Sequence, residues 1–539
     1  MINKLMVRII LLLLATGVIS CTSVNRYNQR LVTPIPVVKL QKDIQFIERK
    51  LHRLYPNLYG YISKEQLAFK FDSIRKVVNR PMTTKEFYFV IAPVIASVRQ
   101  GHMTTGLPQP LATKAQRKHF KNRGEGPLTQ FTTEWINHKM IVLKHRSDKK
   151  YLKPGAEIVS INGITPQALY TKFRPTLTSD GFNETYIRRG FGKRLSIYYT
   201  GELGLQDSLQ MVFKQKDSLY SEWIKRKAKP IKKNTIKSTQ KMTKTQPKDT
   251  LKPLDSLSKT PKKEPRFTRK ERRIFDWDPT TKEFSVALKK SVLDSSLYVL
   301  RIKNFSGSKH HKAYSLLFDS IKKMNLAVLV LDLRDNPGGR IGDAVNLYRH
   351  FIDKETILLR PSEVTSKTSL WKLGVLPKLS PIGYPFFLAG YPFYMGFSYF
   401  RTTKRPEGGY QYKLVGSRTI KPATNAYLGK LFVLINGGSF SAACIESVAL
   451  KNRPNTYFVG EETGGAFNGT VAGIMPVVRL PYSKISVRLG LMNVQTIAQS
   501  EREGRGVFPD ITILPTIEDR VKARDPELEY VVKMVQQSR

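Results

Sequence analysis

Cysteine is nearly absent from this chain of 539 residues, which contains only Cys21 and Cys444. This scarcity excludes a fold held together by disulfides, so stability must come from packing. Cys444 is expected to pack as a small apolar residue. A chain of this length is also too long for one compact core, which predicts two or more domains.

The apolar run near the N-terminus is too short to span a bilayer. Ile9 to Ile19 follows Lys4 and Arg8 and falls well short of the ~20 residues that a spanning helix needs. This pattern predicts a signal peptide over residues 1–21. Its end, "VISC", has the residue order of a bacterial lipoprotein cleavage site, so we expect Cys21 to be acylated. The mature protein would then be anchored in the cell envelope, facing the periplasm.

Acidic residues are scarce. The chain has 42 Asp or Glu against 90 Lys or Arg, a net charge of +48. Such an excess raises nucleic acid as a partner, but the signal peptide argues against it, and no nucleic acid is predicted. Part of the excess lies between Lys225 and Arg273, where 19 residues are basic and 4 are acidic. With little to bury, residues 221–275 are predicted to be a basic disordered linker.

Periodicity divides the remaining chain. Apolar residues at helical spacing predict a helical domain over residues 22–125, and short β-like runs, including "LSIYYT" (195–200), predict a β-rich domain over 126–220. Two strand, Gly-Gly turn and helix units predict an α/β core of parallel strands over 276–525. Within it, residues 355–428 are expected to be an insertion whose aromatic stretch, 384–400, packs as a subdomain. The alternatives are that this stretch lines a substrate groove or dips into a bilayer. Residues 526–539 are expected to be a tail.

Known phosphate and hydrolase motifs are missing from the two Gly-Gly turns. "DNPGGR" is not a dinucleotide-binding motif, and "GGSFS" lacks the end of a P-loop and the G-x-S-x-G elbow. Both turns nevertheless follow parallel strands and begin helices, where free backbone N–H groups favour negative charge. A serine on the second helix, Ser439 or Ser441, could attack a carbonyl held there.

Four motifs in order carry a family resemblance. "VLVLDLRDNPGG", "LINGGSFSAACIE", "FVGEETGG" and "GVFPDITILPT" resemble the carboxy-terminal processing, or tail-specific, serine peptidases, and more closely their branch with the tricorn core and the interphotoreceptor retinoid-binding proteins. The resemblance implies a crotonase-like α/β core, and "LKPGAEIVSING" (152–163) resembles a PDZ domain. The implied activity is that of a serine endopeptidase acting on extended polypeptides.

The resemblance also assigns the reacting residues. The family nucleophile falls on Ser441, with Ser439 the alternative and a helix cap. The lysine base of the processing peptidases has no counterpart in residues 460–470. His102, in "RQGHMTT", lies where the tricorn branch carries a histidine, so we expect it to be the base, although that branch has a serine at the position of Gly101.

The acid that would orient His102 is not fixed by the sequence. An acid orienting His102 could be Glu461, Glu462, Glu501 or Glu503, and these four stay open. The resemblance places the oxyanion hole at the Gly338-Gly339 turn, through Gly339, and at the N–H of Ala442. No metal or cofactor is predicted for this chemistry. The partners expected are a polypeptide substrate and, through Cys21, a lipid bilayer. The alternative function is a catalytically inactive protein on the same fold that binds a peptide or an apolar ligand.

Acylation of Cys21 is directly testable. Cells given a radiolabelled fatty acid should label the wild-type protein and not the Cys21→Ser variant, because only a free thiol at the cleavage site accepts the lipid. Equal labelling of both proteins would refute the anchor.

Overall fold

The computed structural model describes residues 24–228, 267–372 and 383–538. Its N-terminal part is mainly helical. The elements are α1 (Val24–Val32), α2 (Val37–Leu54), α3 (Lys64–Val77), α4 (Thr84–Ala96), β1 (Thr104–Thr105) and α5 (Lys114–Arg123). The predicted signal peptide, with Cys21, lies outside the described residues.

The N-terminal helices share their core with the C-terminal half. Helix α2 buries residues three or four positions apart, as an amphipathic helix does: Leu40, Ile44, Ile47 and Leu51. The same apolar cluster includes Val471, Val478 and Val487 from near the other end of the chain. The predicted helical domain is therefore not a separate core.

An antiparallel sheet follows. Its five strands, paired in sequence order, are β2 (Phe131–Ile136), β3 (Lys139–His145), β4 (Glu157–Ile161), β5 (Ser208–Gln215) and β6 (Ser218–Lys225). Three helices connect β4 to β5: α6 (Pro166–Phe173), α7 (Thr185–Lys193) and α8 (Leu195–Leu203).

The strand predicted at residues 195–200 is wrong, because these residues belong to α8. Leu195, Tyr198 and Tyr199 share the buried face at helical spacing, whereas Ile197 is exposed. The basic linker is also shorter than predicted. Residues 221–225 lie in β6, and helix α9 (Arg269–Ile274) occupies its other end; residues 229–266 lie outside the described residues.

The C-terminal half adds the remaining elements. Its helices are α10 (His310–Lys323), α11 (Ile341–Tyr348), α12 (Gly383–Arg401), α13 (Ala442–Lys451), α14 (Ile517–Lys522) and α15 (Pro526–Gln537). Its strands are β7 (Trp277–Asp278), β8 (Glu283–Phe284), β9 (Val286–Lys290), β10 (Tyr298–Ile302), β11 (Val328–Asp332), β12 (Ser362–Val364), β13 (Thr402–Lys404), β14 (Tyr410–Tyr412), β15 (Lys430–Ile435), β16 (Thr456–Gly460), β17 (Gly469–Ala472), β18 (Val477–Arg479), β19 (Ser486–Arg488), β20 (Met492–Gln495) and β21 (Ile511–Thr512).

A six-stranded sheet forms the centre of this half, in the order β21-β16-β15-β11-β10-β9. All neighbours are parallel except β9, which is antiparallel to β10. Helices cover both faces, as expected for a parallel sheet. The apolar cluster on one face contains α10, α11 and α13, whereas the cluster on the other contains α15. The predicted mixed α/β architecture is confirmed.

Residues 526–537 are not a tail. They form α15, which begins with a proline after Asp525 and buries Val531 and Val535 against Phe432 and Leu434 of the central sheet. Two smaller sheets complete the half, β13-β14-β12-β20-β17 and β1-β19-β18. Within residues 24–228, 267–372 and 383–538, no helix combines the length and the apolar character needed to cross a bilayer.

Candidate active site

The two serines of the second Gly-Gly turn have different environments. Ser439 is fully buried, and its Oγ donates to the carbonyl of Leu333 at 2.8 Å while accepting from the N–H of Asn436 at 3.1 Å. The Ser439 side chain thus links the residues that follow β11 and β15, and it does not cap α13. Ser441 is half-buried at the start of α13, with φ 55° and ψ −122°. A non-glycine residue in this region is strained, which is common at functional sites.

His102 lies against Ser441 although the two are 339 positions apart. The distance from His102 Nε2 to Ser441 Oγ is 3.0 Å, within the range needed for proton transfer. The imidazole also contacts the ring of Phe440 edge-on, with centroids 4.9 Å apart, and Tyr186 stacks on that ring at 4.2 Å. The structure thus brings together the nucleophile and the base predicted from the sequence.

Burial keeps His102 neutral. It lowers the pKa of His102 to about 4, and the positive charge of Arg488 on β19 contributes in the same direction. An imidazole with this pKa is unprotonated at neutral pH. His102 is therefore able to accept the proton of Ser441 Oγ under those conditions.

Gly101 has no room for a side chain. A Cβ atom at this position would lie 2.6 Å from the Phe440 ring and 3.1 Å from the backbone nitrogen of Asp180. A side chain at position 101 would therefore require the Phe440 ring or the loop that carries His102 to move. Glycine here is a packing requirement.

Asp180, which sequence reasoning missed, holds that loop in place. Its Oδ1 accepts hydrogen bonds from the N–H of Gly101 at 2.8 Å and from Oγ1 of Thr470 at 2.9 Å. Oδ2 is buried and has no hydrogen-bond partner among the described residues. Burial raises the pKa of Asp180 to about 6.

The loop around Asp180, residues 178–183, makes further contacts with the site. Gly181 donates its N–H to the carbonyl of Arg99 at 2.8 Å, and Asn183 Nδ2 donates to the carbonyl of Thr463 at 2.7 Å. The loop thus joins the segment before His102 to the segment after β16. No sequence motif marks it, because its partners are distant in the chain.

The first Gly-Gly turn lies beside the nucleophile. A Cβ atom on Gly338 would be 2.7 Å from both Ser441 Cβ and the Ala442 nitrogen. The Gly338 N–H is already bonded to Asn336 Oδ1 at 2.9 Å. The N–H groups of Gly339 and Ala442 have no hydrogen-bond partner among the described residues, so they are free to bind an oxyanion.

None of the four acids left open by the sequence bonds to His102 within the described part of the chain. Glu461 accepts from the N–H of Gly437, and Glu462 binds Arg505 and the N–H of Gly506. Glu501 and Glu503 are exposed. Among the described residues, His102 is therefore paired with Ser441 and with none of these acids.

Cys444 lies one turn after the nucleophile and is buried, as expected. Its Sγ is 3.3 Å from Oγ1 of Thr463, and burial raises the pKa of the thiol to about 12. It is therefore protonated at neutral pH and does not compete with Ser441 as a nucleophile.

The strand, turn and helix units that carry Ser441 are similar to known proteins. Residues 296–513 match the model of peptidase family S41. No curated protein matches the chain. The matched segment contains Ser441 and both Gly-Gly turns, whereas His102 lies outside it. The chain is classed as a serine peptidase, as the sequence predicts.

Solved structures share the fold. Mature CPAF aligns at 16% identity over 93% of this chain and 97% of its own, with a TM-score of 0.57. Mature CPAF complexed with lactacystin aligns at 16% identity over 93% of this chain and 98% of its own, with a TM-score of 0.58. The photosystem II D1 C-terminal processing protease aligns at 16% identity over 89% of this chain and 96% of its own, with a TM-score of 0.40. The branch of the family stays a prediction.

The buried carboxyl of Asp180 predicts a pH-dependent stability difference. Because its pKa is higher in the folded than in the unfolded chain, this group contributes stability at low pH that is lost as the pH rises from about 4 to about 6. The Asp180→Asn variant lacks this loss. Relative to the wild type, its free energy of unfolding should increase by up to about 3 kcal/mol between pH 4 and pH 7, measured by denaturant titration. A difference that does not change with pH would contradict the assignment.

Proposed function

We propose that the protein is a serine endopeptidase that cuts extended or unstructured polypeptides, with Ser441 as nucleophile and His102 as general base. The observation that carries the proposal is the 3.0 Å contact between Ser441 Oγ and His102 Nε2. It joins a strained residue at a helix start to a histidine that burial holds neutral. The family match of residues 296–513 supports the same reaction class.

The chemistry follows from this geometry. His102 Nε2 takes the proton of Ser441 Oγ as the oxygen attacks the peptide carbonyl, and the protonated imidazole then passes that proton to the leaving amine. Water hydrolyses the resulting acyl-enzyme by the same route in reverse. The free N–H groups of Gly339 and Ala442 would stabilise the negative charge on the carbonyl oxygen of each tetrahedral intermediate.

We further propose that the central sheet with its helices is a crotonase-like core and that the β2–β6 sheet acts as a PDZ-like module. Residues 152–163, which carry the PDZ resemblance, include β4 and the turn at Asn162 and Gly163 that follows it. A module of this type takes up an extended peptide along a sheet edge. In the same proposal, acylation of Cys21 keeps the enzyme in the cell envelope, facing the periplasm.

The pH dependence of kcat/KM tests the base. Since only neutral His102 accepts a proton, activity should rise with pH through an apparent pKa of about 4 and stay level from about pH 5 to pH 8. A lysine base would give a rise at a higher pH. The measurement needs a denatured protein or an unstructured peptide with a fluorescent reporter, assayed over that range.

Substitution tests the same assignment. His102→Ala should lose nearly as much activity as Ser441→Ala, because the two residues act as one unit. Lys484→Gln is the matched control, since Lys484 is an exposed lysine after the motif and should have little effect. If His102→Ala retains more than about a tenth of wild-type activity, a loss under roughly 1.4 kcal/mol, the base lies elsewhere.

A fluorophosphonate probe distinguishes an enzyme from a binding protein. We expect labelling of the wild type that disappears in Ser441→Ala and persists in Ser439→Ala, since the Ser439 hydroxyl is fully buried. A folded wild-type protein that does not label would instead support a catalytically inactive protein that binds a peptide or an apolar ligand.

A further inference from the structure

Helix α12 places its polar side chains inward and its apolar side chains outward. Tyr394 Oη donates to the carbonyl of Leu370 at 2.8 Å, and Tyr391 Oη donates to that of Trp371. In return, Trp371 Nε1 donates to the helix at Ser398 Oγ, 3.1 Å away. The hydroxyl-bearing face of the helix is therefore the face that packs on the protein.

The opposite face is a stripe of phenylalanines in solvent. Phe386, Phe393 and Phe400 recur every seven residues, which is two helical turns, and Phe397 lies one turn after Phe393. The exposed fraction of the side chain is 76% for Phe386, 81% for Phe393, 54% for Phe397 and 82% for Phe400. We call these four residues the phenylalanine stripe. An exposed apolar row of this length marks an interaction surface, and the expected packed aromatic subdomain is not what forms.

The sequence around the stripe is basic. Between Glu363 and Glu407 the chain has no acidic residue but six Lys or Arg. Lys372, next to Trp371, lies within electrostatic range of Lys50 of α2, as do Arg49 and Arg53 of the same helix, and burial together with these positive charges lowers the pKa of Lys50. We call these four residues the basic cluster. Within the described residues, none of the four forms a salt bridge.

We infer that the phenylalanine stripe and the basic cluster together bind the surface of an anionic lipid bilayer. An interfacial helix of this kind lies in the membrane plane, with its aromatic face in the acyl boundary and cations at the headgroups. The charge favours this occupant over a second copy of the chain. A second copy would bring another +48 and another acid-free segment to the same interface, whereas anionic headgroups neutralise the basic cluster. The inference is independent of the peptidase assignment.

A single-site fluorophore can test the contact. In the full chain carrying Cys21→Ser, the thiol of Cys444 is buried, so Phe393→Cys provides the one exposed site for a thiol-reactive environment-sensitive dye. Trp223→Cys, at an exposed aromatic position on β6, is the matched control. The vesicles contain equal parts phosphatidylcholine and phosphatidylglycerol, with or without lipids that carry a quencher in the acyl chain.

We expect acyl-chain quenching at position 393 and none at position 223. With the dye at 393, Phe386→Asn with Phe400→Asn should weaken vesicle binding at least about tenfold, since two aromatic side chains lose their apolar contact. Arg49→Gln with Arg53→Gln should reduce the preference for anionic over pure phosphatidylcholine vesicles. Hydrolysis of a soluble peptide should stay unchanged in all these variants.

Three results would overturn the inference. Absence of quenching at position 393, or equal quenching at both positions, would exclude a specific lipid contact. A dye signal that depends on protein concentration without vesicles, together with a dimer in sedimentation, would make the stripe an interface between copies. Loss of peptide hydrolysis in the stripe variants with vesicle binding intact would make it a wall of the substrate groove.

Discussion

One buried carboxylate oxygen connects the loop that carries His102 to the C-terminal half of the protein. Asp180 Oδ1 binds the loop before His102 and a residue of β17, which are 79 and 290 positions away from it in the chain. Both bonds are buried, where a hydrogen bond to a charged acceptor is strong because little water competes. Since Gly101 directly precedes His102, a shift of this oxygen would move the imidazole away from the nucleophile. The domain of the β2–β6 sheet therefore helps to position His102, because the Asp180 loop lies between α6 and α7, two of the helices that connect β4 to β5.

Local patterns were enough to predict the parallel strands, and the family resemblance pointed to Ser441 and His102, which lie within hydrogen-bond distance in the structure. A buried strand followed by two glycines and a helix is visible in a dozen consecutive residues, and Ser441 lies inside that window. Asp180 carries no such signal, because its role depends on partners brought near by the tertiary fold. The strand predicted at residues 195–200 failed for a related reason: a six-residue window does not separate alternation from helical spacing. For α15 a signal was present, since a proline after Asp525 and valines at helical spacing are typical of an amphipathic helix.

If His102 is the base, as proposed, its burial has two opposing effects on catalysis. It keeps the imidazole neutral and ready to accept a proton at neutral pH. The same burial makes the imidazolium costly, and Arg488 adds repulsion, so the proton taken from Ser441 is held weakly. A weak base transfers more of the catalytic demand to stabilisation of the oxyanion. The free N–H groups of Gly339 and Ala442 would supply that stabilisation.

The separation of 339 residues between the nucleophile and the base also has a consequence for biosynthesis. A growing polypeptide acquires its histidine early and its serine only when most of the chain has been made. Until the late strands pair with the early segments, the two side chains have no fixed relation to each other. Under the proposed mechanism, the pair is therefore assembled only when folding is nearly complete, so an unfinished chain has no means of attacking its neighbours or itself.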